Sequence, residues 1–190
     1  ALSILDGLEK DGRYANRKMS PEGAHNIAQQ KMQELNAKGE VYLLTGHSEH
    51  FNITKIQKTS TGYSYTLYDA GGETRIVGAK IEDFKVRWRV SAVEERAIKP
   101  GQNIEMLIES ALHKCGANAE SAEYKQMRTQ IDNALEQKPI RKVEDYAQRR
   151  GNCTTRGQRI LIADLLGDKN LSDKIYNCIT ATDVSLPDMQ

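Results

Sequence analysis

The sequence predicts an α+β domain, with a block of strand-period segments set between helical ones. Three observations carry this. Residues 24–35 repeat apolar side chains with helical spacing. From Val41 to Val90 the spacing changes to that of strands. After Lys99-Pro100-Gly101 it becomes helical again and stays so to about Ile179, before a polar tail. A sheet followed by a run of helices is the pattern of α+β folds.

Each element has its own signal. Residues 1–19 are polar apart from Leu2, Ile4, Leu5 and Leu8, and read as a peripheral segment packed on the main body. Ser20-Pro21 is a helix start, with Ser20 as N-cap and Pro21 at the first helical position. Ala24, Ile27, Ala28, Met32 and Leu35 then share one face, and Lys38-Gly39 closes the helix. Val41-Tyr42-Leu43-Leu44 reads as a buried strand, and residues 50–58 as a second with Phe51, Ile53 and Ile56 apolar. Thr59-Ser60-Thr61-Gly62 is a turn, and Tyr63 to Tyr68 alternate up to Asp69 and the Gly71-Gly72 pair. Arg75-Ile76-Val77 and Phe84 to Val90 extend the antiparallel meander to about four to six strands. Ile104, Leu107, Ile108, Ala111 and Leu112 mark a helix, and residues 120–137 a second one ended by Pro139. Val143, Tyr146 and Ala147 predict a short helix, followed by helices over 154–166 and 171–179.

Length and composition narrow the function. At 190 residues the chain is most simply one domain, with enough material for a real core. Its net charge of +1 removes the bulk electrostatic case for nucleic-acid binding. No apolar run approaches the ~20 residues of a membrane-crossing helix. With Ala1 and no Met at its start, the chain reads as a processed or excised piece, so a missing secretory leader does not argue against secretion. Cys115, Cys153 and Cys178 are an odd, widely spaced set, which argues against a disulfide framework and for a reducing compartment. There is no Cys-x-x-Cys pair and no His-Glu-x-x-His helix, and His47 and His50 fall in a turn entering a strand, so a metal site is not expected.

The stretch richest in chemistry is Gln148-Arg149-Arg150-Gly151-Asn152-Cys153-Thr154-Thr155, a polar turn opening a helix. A thiol placed there meets exposed N–H groups and the positive end of the helix dipole, which favour the thiolate and can hold an oxyanion. A cysteine nucleophile also needs a histidine, and the histidine a carboxylate or amide to fix its tautomer. His50 starts one predicted strand and Asp69 ends the next, nineteen residues later, as two neighbours on a hairpin would be. Each residue has a plainer role open to it: Cys153 as a small packed side chain, His50 as a half-exposed strand residue, Asp69 as turn chemistry, Gln148 as a solvated polar group. Arg149, Arg150, Arg156 and Arg159 form a basic cluster that would either depress the thiol pKa, bind an acidic segment, or simply face solvent. His113, Cys115 and Cys178 read as structural, and Trp88 as part of either a recognition surface or a charged edge strand.

The order His50, Asp69, Gln148, Cys153 resembles that of the Ulp-like (clan CE) cysteine peptidases and related acyltransferases. It is also similar to cysteine-protease-like domains of secreted effectors from intracellular bacterial pathogens. Those domains carry a Gly-Trp-x-Gly-His-Ala stretch, a strand ending in Asn-Arg-Gly or an Asp equivalent, and a Gln-x-x-Gly-Asn-Cys-Thr turn. Here the counterparts are Gly46-His47-Ser48-Glu49-His50-Phe51, Asp69-Ala70-Gly71 and Gln148 to Thr154, within a resemblance spanning roughly residues 24–166. His47 stands where the family tends to have Trp, and Glu49 where it has Gly. The resemblance implies a papain-like/Ulp-like fold, with an antiparallel sheet followed by a helical half carrying the cysteine. It implies Cys153 as nucleophile, His50 as base and then acid in preference to His47, Asp69 as orienter, and Gln148 as oxyanion donor. It further implies no cofactor, a host-protein substrate with ubiquitin-type conjugates as one subset, and action as a bacterial virulence effector in the host cytosol. Two alternatives use the same residues differently: an acyltransferase in which an amine or hydroxyl takes the acyl group, and a host-protein binding module without turnover.

Overall fold

The computed structural model describes residues 21–47, 50–69, 76–82, 85–114, 117–146, 153–168 and 174. The predicted peripheral segment 1–19, the Ser20 cap and the helix expected over 171–179 lie outside them, apart from Lys174. The described chain is α+β: helix α1 (Pro21–Lys38), strands β1 (Glu40–His47), β2 (His50–Thr59), β3 (Gly62–Tyr68), β4 (Ile76–Glu82) and β5 (Lys85–Ala97), helices α2 (Ile104–Lys114) and α3 (Ala122–Ala134), strand β6 (Arg141–Tyr146) and helix α4 (Cys153–Leu166).

The strands form one antiparallel, six-stranded sheet. β1, β2 and β3 are a meander. β5 is long enough to take β3 against Val93–Ala97 and β4 against Lys85–Val90. β6 pairs with Arg89–Glu95, overlapping both, so β3 and β4 share one side of β5 and β6 occupies the other. This corrects the short helix expected around Val143 to Ala147. Val143 and Tyr146 are three apart, as on a helix, but β5 presents an open edge whose N–H and C=O groups require partners, and residues 141–146 supply them.

Both faces of the β1–β3 part of the sheet are covered, which determines where the site sits. Val41 and Leu43 of β1, Ile56 of β2 and Tyr65 of β3 point to one face and pack with Ala28 and Leu35 of α1 and with Ile104, Leu107, Ile108, Ala111 and Leu112 of α2. Ile131 and Ala134 bring α3 to the same core. Each fully buried Leu or Ile contributes roughly 1.5–3 kcal/mol. α1 stops where Gly39, at φ +79, turns its N–H back to the Leu35 carbonyl at 2.9 Å. Ser121 caps α3 by accepting the Tyr124 N–H. The alternate residues Tyr42, Leu44, Ile53, Tyr68 and Val93 point to the other face, where Ile160 and Leu161 of α4 cover them.

A polar clasp fixes α4 on that face. Arg141 of β6 donates two hydrogen bonds to the Asp164 carboxylate and one to Glu95, and the Tyr68 hydroxyl donates to Asp164 at 2.9 Å. Burial works against ionisation of Asp164, but the Arg141 guanidinium and the Tyr68 hydroxyl overcome it and hold the carboxyl below its ordinary range. Burial and then the neighbouring Asp164 push the Tyr68 hydroxyl well above its usual value. Because the folded carboxyl is the more acidic, its contribution is present at neutral pH and is lost as pH falls through the lowered folded value. Asp164→Asn is therefore expected to cost about 1–2 kcal/mol at pH 7, after discounting for the half-exposed arginine. In urea unfolding at several pH values, the gap from wild type should begin to narrow below about pH 4 and shrink further as pH falls through the lowered folded value.

Candidate functional site

Strand register builds the site at one end of the sheet. β2 and β3 pair with Ile53 opposite Tyr68. One step further along that register, Asn52 stands beside Asp69, with His50 next on the same face of β2. Asp69 follows the last residue of β3 but stays tied to the sheet, its N–H donating to the Ala92 carbonyl at 3.0 Å. Its carboxylate is fully buried and lies 2.6 Å from His50 Nε2, whose side chain is 13 % exposed. An ionised carboxylate only accepts, so Nε2 carries a proton toward it, and in the neutral ring Nδ1 then has the lone pair. The imidazole thus has its basic nitrogen on the side away from Asp69, the arrangement a general base requires.

Gly46 and His47 shape the approach to this pair. Gly46 has φ +125, and a Cβ there would overlap the His50 carbonyl oxygen, so only glycine lets β1 and β2 stay paired to His47 and His50. The His47 ring is 5.7 Å from the His50 ring and meets Tyr124 of α3 edge-on at 5.7 Å. It thereby joins α3 to the end of the sheet.

Cys153 is the first residue of α4. One turn later, on the same side of the helix, Gly157 lies against Ile53 and the Tyr68 carbonyl, at 3.9 Å from where a Cβ would stand. At its far end α4 reaches Asp164, whose partner Arg141 bonds Glu95, in the row Lys55–Thr66–Glu95. The helix therefore runs along β2 with its N-terminus directed at the end that carries His50 and Asp69. Position 153 is a further ~5–6 Å toward that end. Strand alternation sets one condition: His50, Asn52 and Asp69 belong to the face covered by α1 and α2, whereas α4 covers the opposite face. The start of α4 and the His50 imidazole come to one rim of the sheet from its two sides.

The structure thus brings His50 and Asp69 together and directs the helix of Cys153 toward them. Gln148, Arg149 and Arg150 lie outside the described residues, as does Cys115, and the side chains of Cys153, Arg156, Trp88 and His113 are likewise outside the description. Cys178 also falls outside it. Among the described residues no group of three His, Cys, Asp or Glu side chains is placed to hold a metal ion, and no helix is long and apolar enough to cross a membrane.

Sequence reasoning missed a buried polar row beside the pair. Thr45, Asn52 and Thr54 are each 1 % exposed or less, and they link through hydrogen bonds to one another and to the Tyr65 hydroxyl. The available signal was the change of phase between Ile53 and Ile56, which places polar residues on the helix-covered face.

Two glycine substitutions test this geometry. Gly46→Ala should cost at least about 1–3 kcal/mol, since the backbone is strained for any side chain and the hairpin must shift. Gly157→Ala should be tolerated, and raise stability by up to about 1 kcal/mol, because its methyl meets only ordinary contacts. Chemical denaturation of both variants reads the difference. Compared with family models, with curated proteins and with solved structures, the chain matches none.

Proposed function

We propose that the protein is a cysteine-peptidase-like effector with a papain-like/Ulp-like fold, acting by acyl transfer through a Cys153 thioester on a peptide or isopeptide bond of a host protein. The observation that carries this reading is the His50–Asp69 pair, 2.6 Å apart and largely shielded from water, at the sheet end toward which the N-terminus of the Cys153 helix is directed. His50 Nδ1 takes the thiol proton, and the thiolate sulfur attacks the carbonyl carbon. The carbon–nitrogen bond breaks, and the amine leaves with the proton returned by His50. Water, deprotonated by the same nitrogen, then cleaves the thioester and restores the thiol. Asp69 holds the ring in the required tautomer throughout. Gln148 and the Cys153 backbone N–H donate to the oxyanion. An amine or hydroxyl acceptor in place of water would make the same steps an acyltransferase.

The alternation of β2 favours a second reading, a host-protein binding module that keeps this architecture without turnover. Peptide and ubiquitin-type probes bearing a carbonyl-directed electrophile separate the two. The enzyme reading predicts a single adduct on Cys153, absent in Cys153→Ala and formed at least about a hundredfold more slowly in His50→Ala. No adduct, with partner capture equal in wild type and Cys153→Ala, would leave the binding module.

A further inference from the structure

Asn52 stands at the centre of a cross of polar side chains on one sheet face. Thr45 is its partner on β1, Asp69 stands beside it one residue past the end of β3, and His50 and Thr54 flank it along β2. All five are on the face whose remainder is an apolar core, and Thr45, Asn52, Thr54 and Asp69 are buried to within 1 % of completely. Burying that many polar groups is costly unless each has a partner. Their hydrogen bonds run in one direction. The Tyr65 hydroxyl donates to Thr54, Thr54 to Thr45, and Thr45 to Asn52 Oδ1, which assigns every hydroxyl proton in the chain. With Oδ1 turned to β1, the amide's Nδ2 branch is on the β3 side, and it has no hydrogen-bond partner among the described residues. Turning the amide over would place its oxygen, in place of its donor, on the side where Asp69 stands.

We propose that Asn52 is a positioning residue for Asp69: the threonine relay holds its amide so that the Nδ2 donor is on the side of the carboxylate and keeps it aimed at His50. The inference deepens the proposed function, yet it concerns the His50–Asp69 pair itself and can be read with no substrate and no reactive thiol. The relay makes the orientation of one amide a property of the sheet's interior, so Asp69 is fixed from β1 and β2 as well as from its own strand.

The test is the imidazole Nε2–H of His50, followed by nitrogen-resolved proton NMR in the whole chain labelled at histidine. In wild type this proton, donated to Asp69, should exchange slowly with water and report a single tautomer. In Asn52→Ala its exchange should accelerate by about tenfold or more, with both tautomers present. Thr45→Val, which keeps the fold's volume and removes the donor to Oδ1, should move the same signal in the same direction by a smaller factor, and it carries the test if Asn52→Ala does not fold. An unchanged Nε2–H signal in a folded Asn52→Ala or Thr45→Val protein would overturn the assignment. An unreactive Cys153 together with the expected NMR change would instead overturn the enzyme reading and leave the positioning role standing.

Discussion

A carboxylate removed from water must be paired, and the burial of Asp69 imposes that requirement on this end of the sheet. An unpaired buried charge costs several kcal/mol, more than a marginally stable domain tolerates at one position. His50 meets the requirement because the β2–β3 register brings the start of one strand beside the end of the other. Gly46 allows β1 to stay paired as far as His47, and the Asp69 N–H keeps its own residue in the sheet beyond β3. The pair is thus a consequence of strand pairing rather than of a flexible loop, which suits a site whose geometry has to be ready before substrate arrives.

The other half of the site depends on a different layer. α4 covers the opposite sheet face through Ile160 and Leu161, and its far end is held by Asp164, Arg141 and Tyr68. That clasp sets how far the helix extends toward the rim, and so where position 153 falls. A helix N-terminus arriving from one face and an imidazole standing on the other meet only at the strand ends. On the proposed reading, chemistry joining the two is therefore confined to the rim, where the polypeptide can cross between layers. At the turn that precedes the rim, the helix rests on Ile53 and the Tyr68 carbonyl at Gly157, with room for a methyl group.

Much of this was legible in the chain. The change from helical to strand spacing at Val41, and back after Gly101, placed the sheet between helices, and the interval from His50 to Asp69 suited a hairpin. β6 was not legible, because Val143 and Tyr146 carry helical spacing and the open edge of β5 is a tertiary fact. The polar row was hidden for a related reason. Asn52 and Thr54 alternate with Phe51 and Ile53, and that alternation ordinarily marks a solvent-facing side. Only when both faces are seen to be covered, one by α1 and α2 and the other by α4, do these residues become buried polar groups that need an account. The cluster of Asp164, Arg141 and Tyr68 joins residues far apart in sequence, and no local pattern announces it.

The central claim is that Cys153 and His50 form one reactive unit. The rate of Cys153 alkylation by iodoacetamide as a function of pH, in the native protein and in His50→Ala, tests it most directly. A thiol reacting with a midpoint well below the ordinary ~8.5, and moving upward when His50 is lost, is the predicted result. A thiol with an ordinary profile that ignores the loss of His50 would contradict the account.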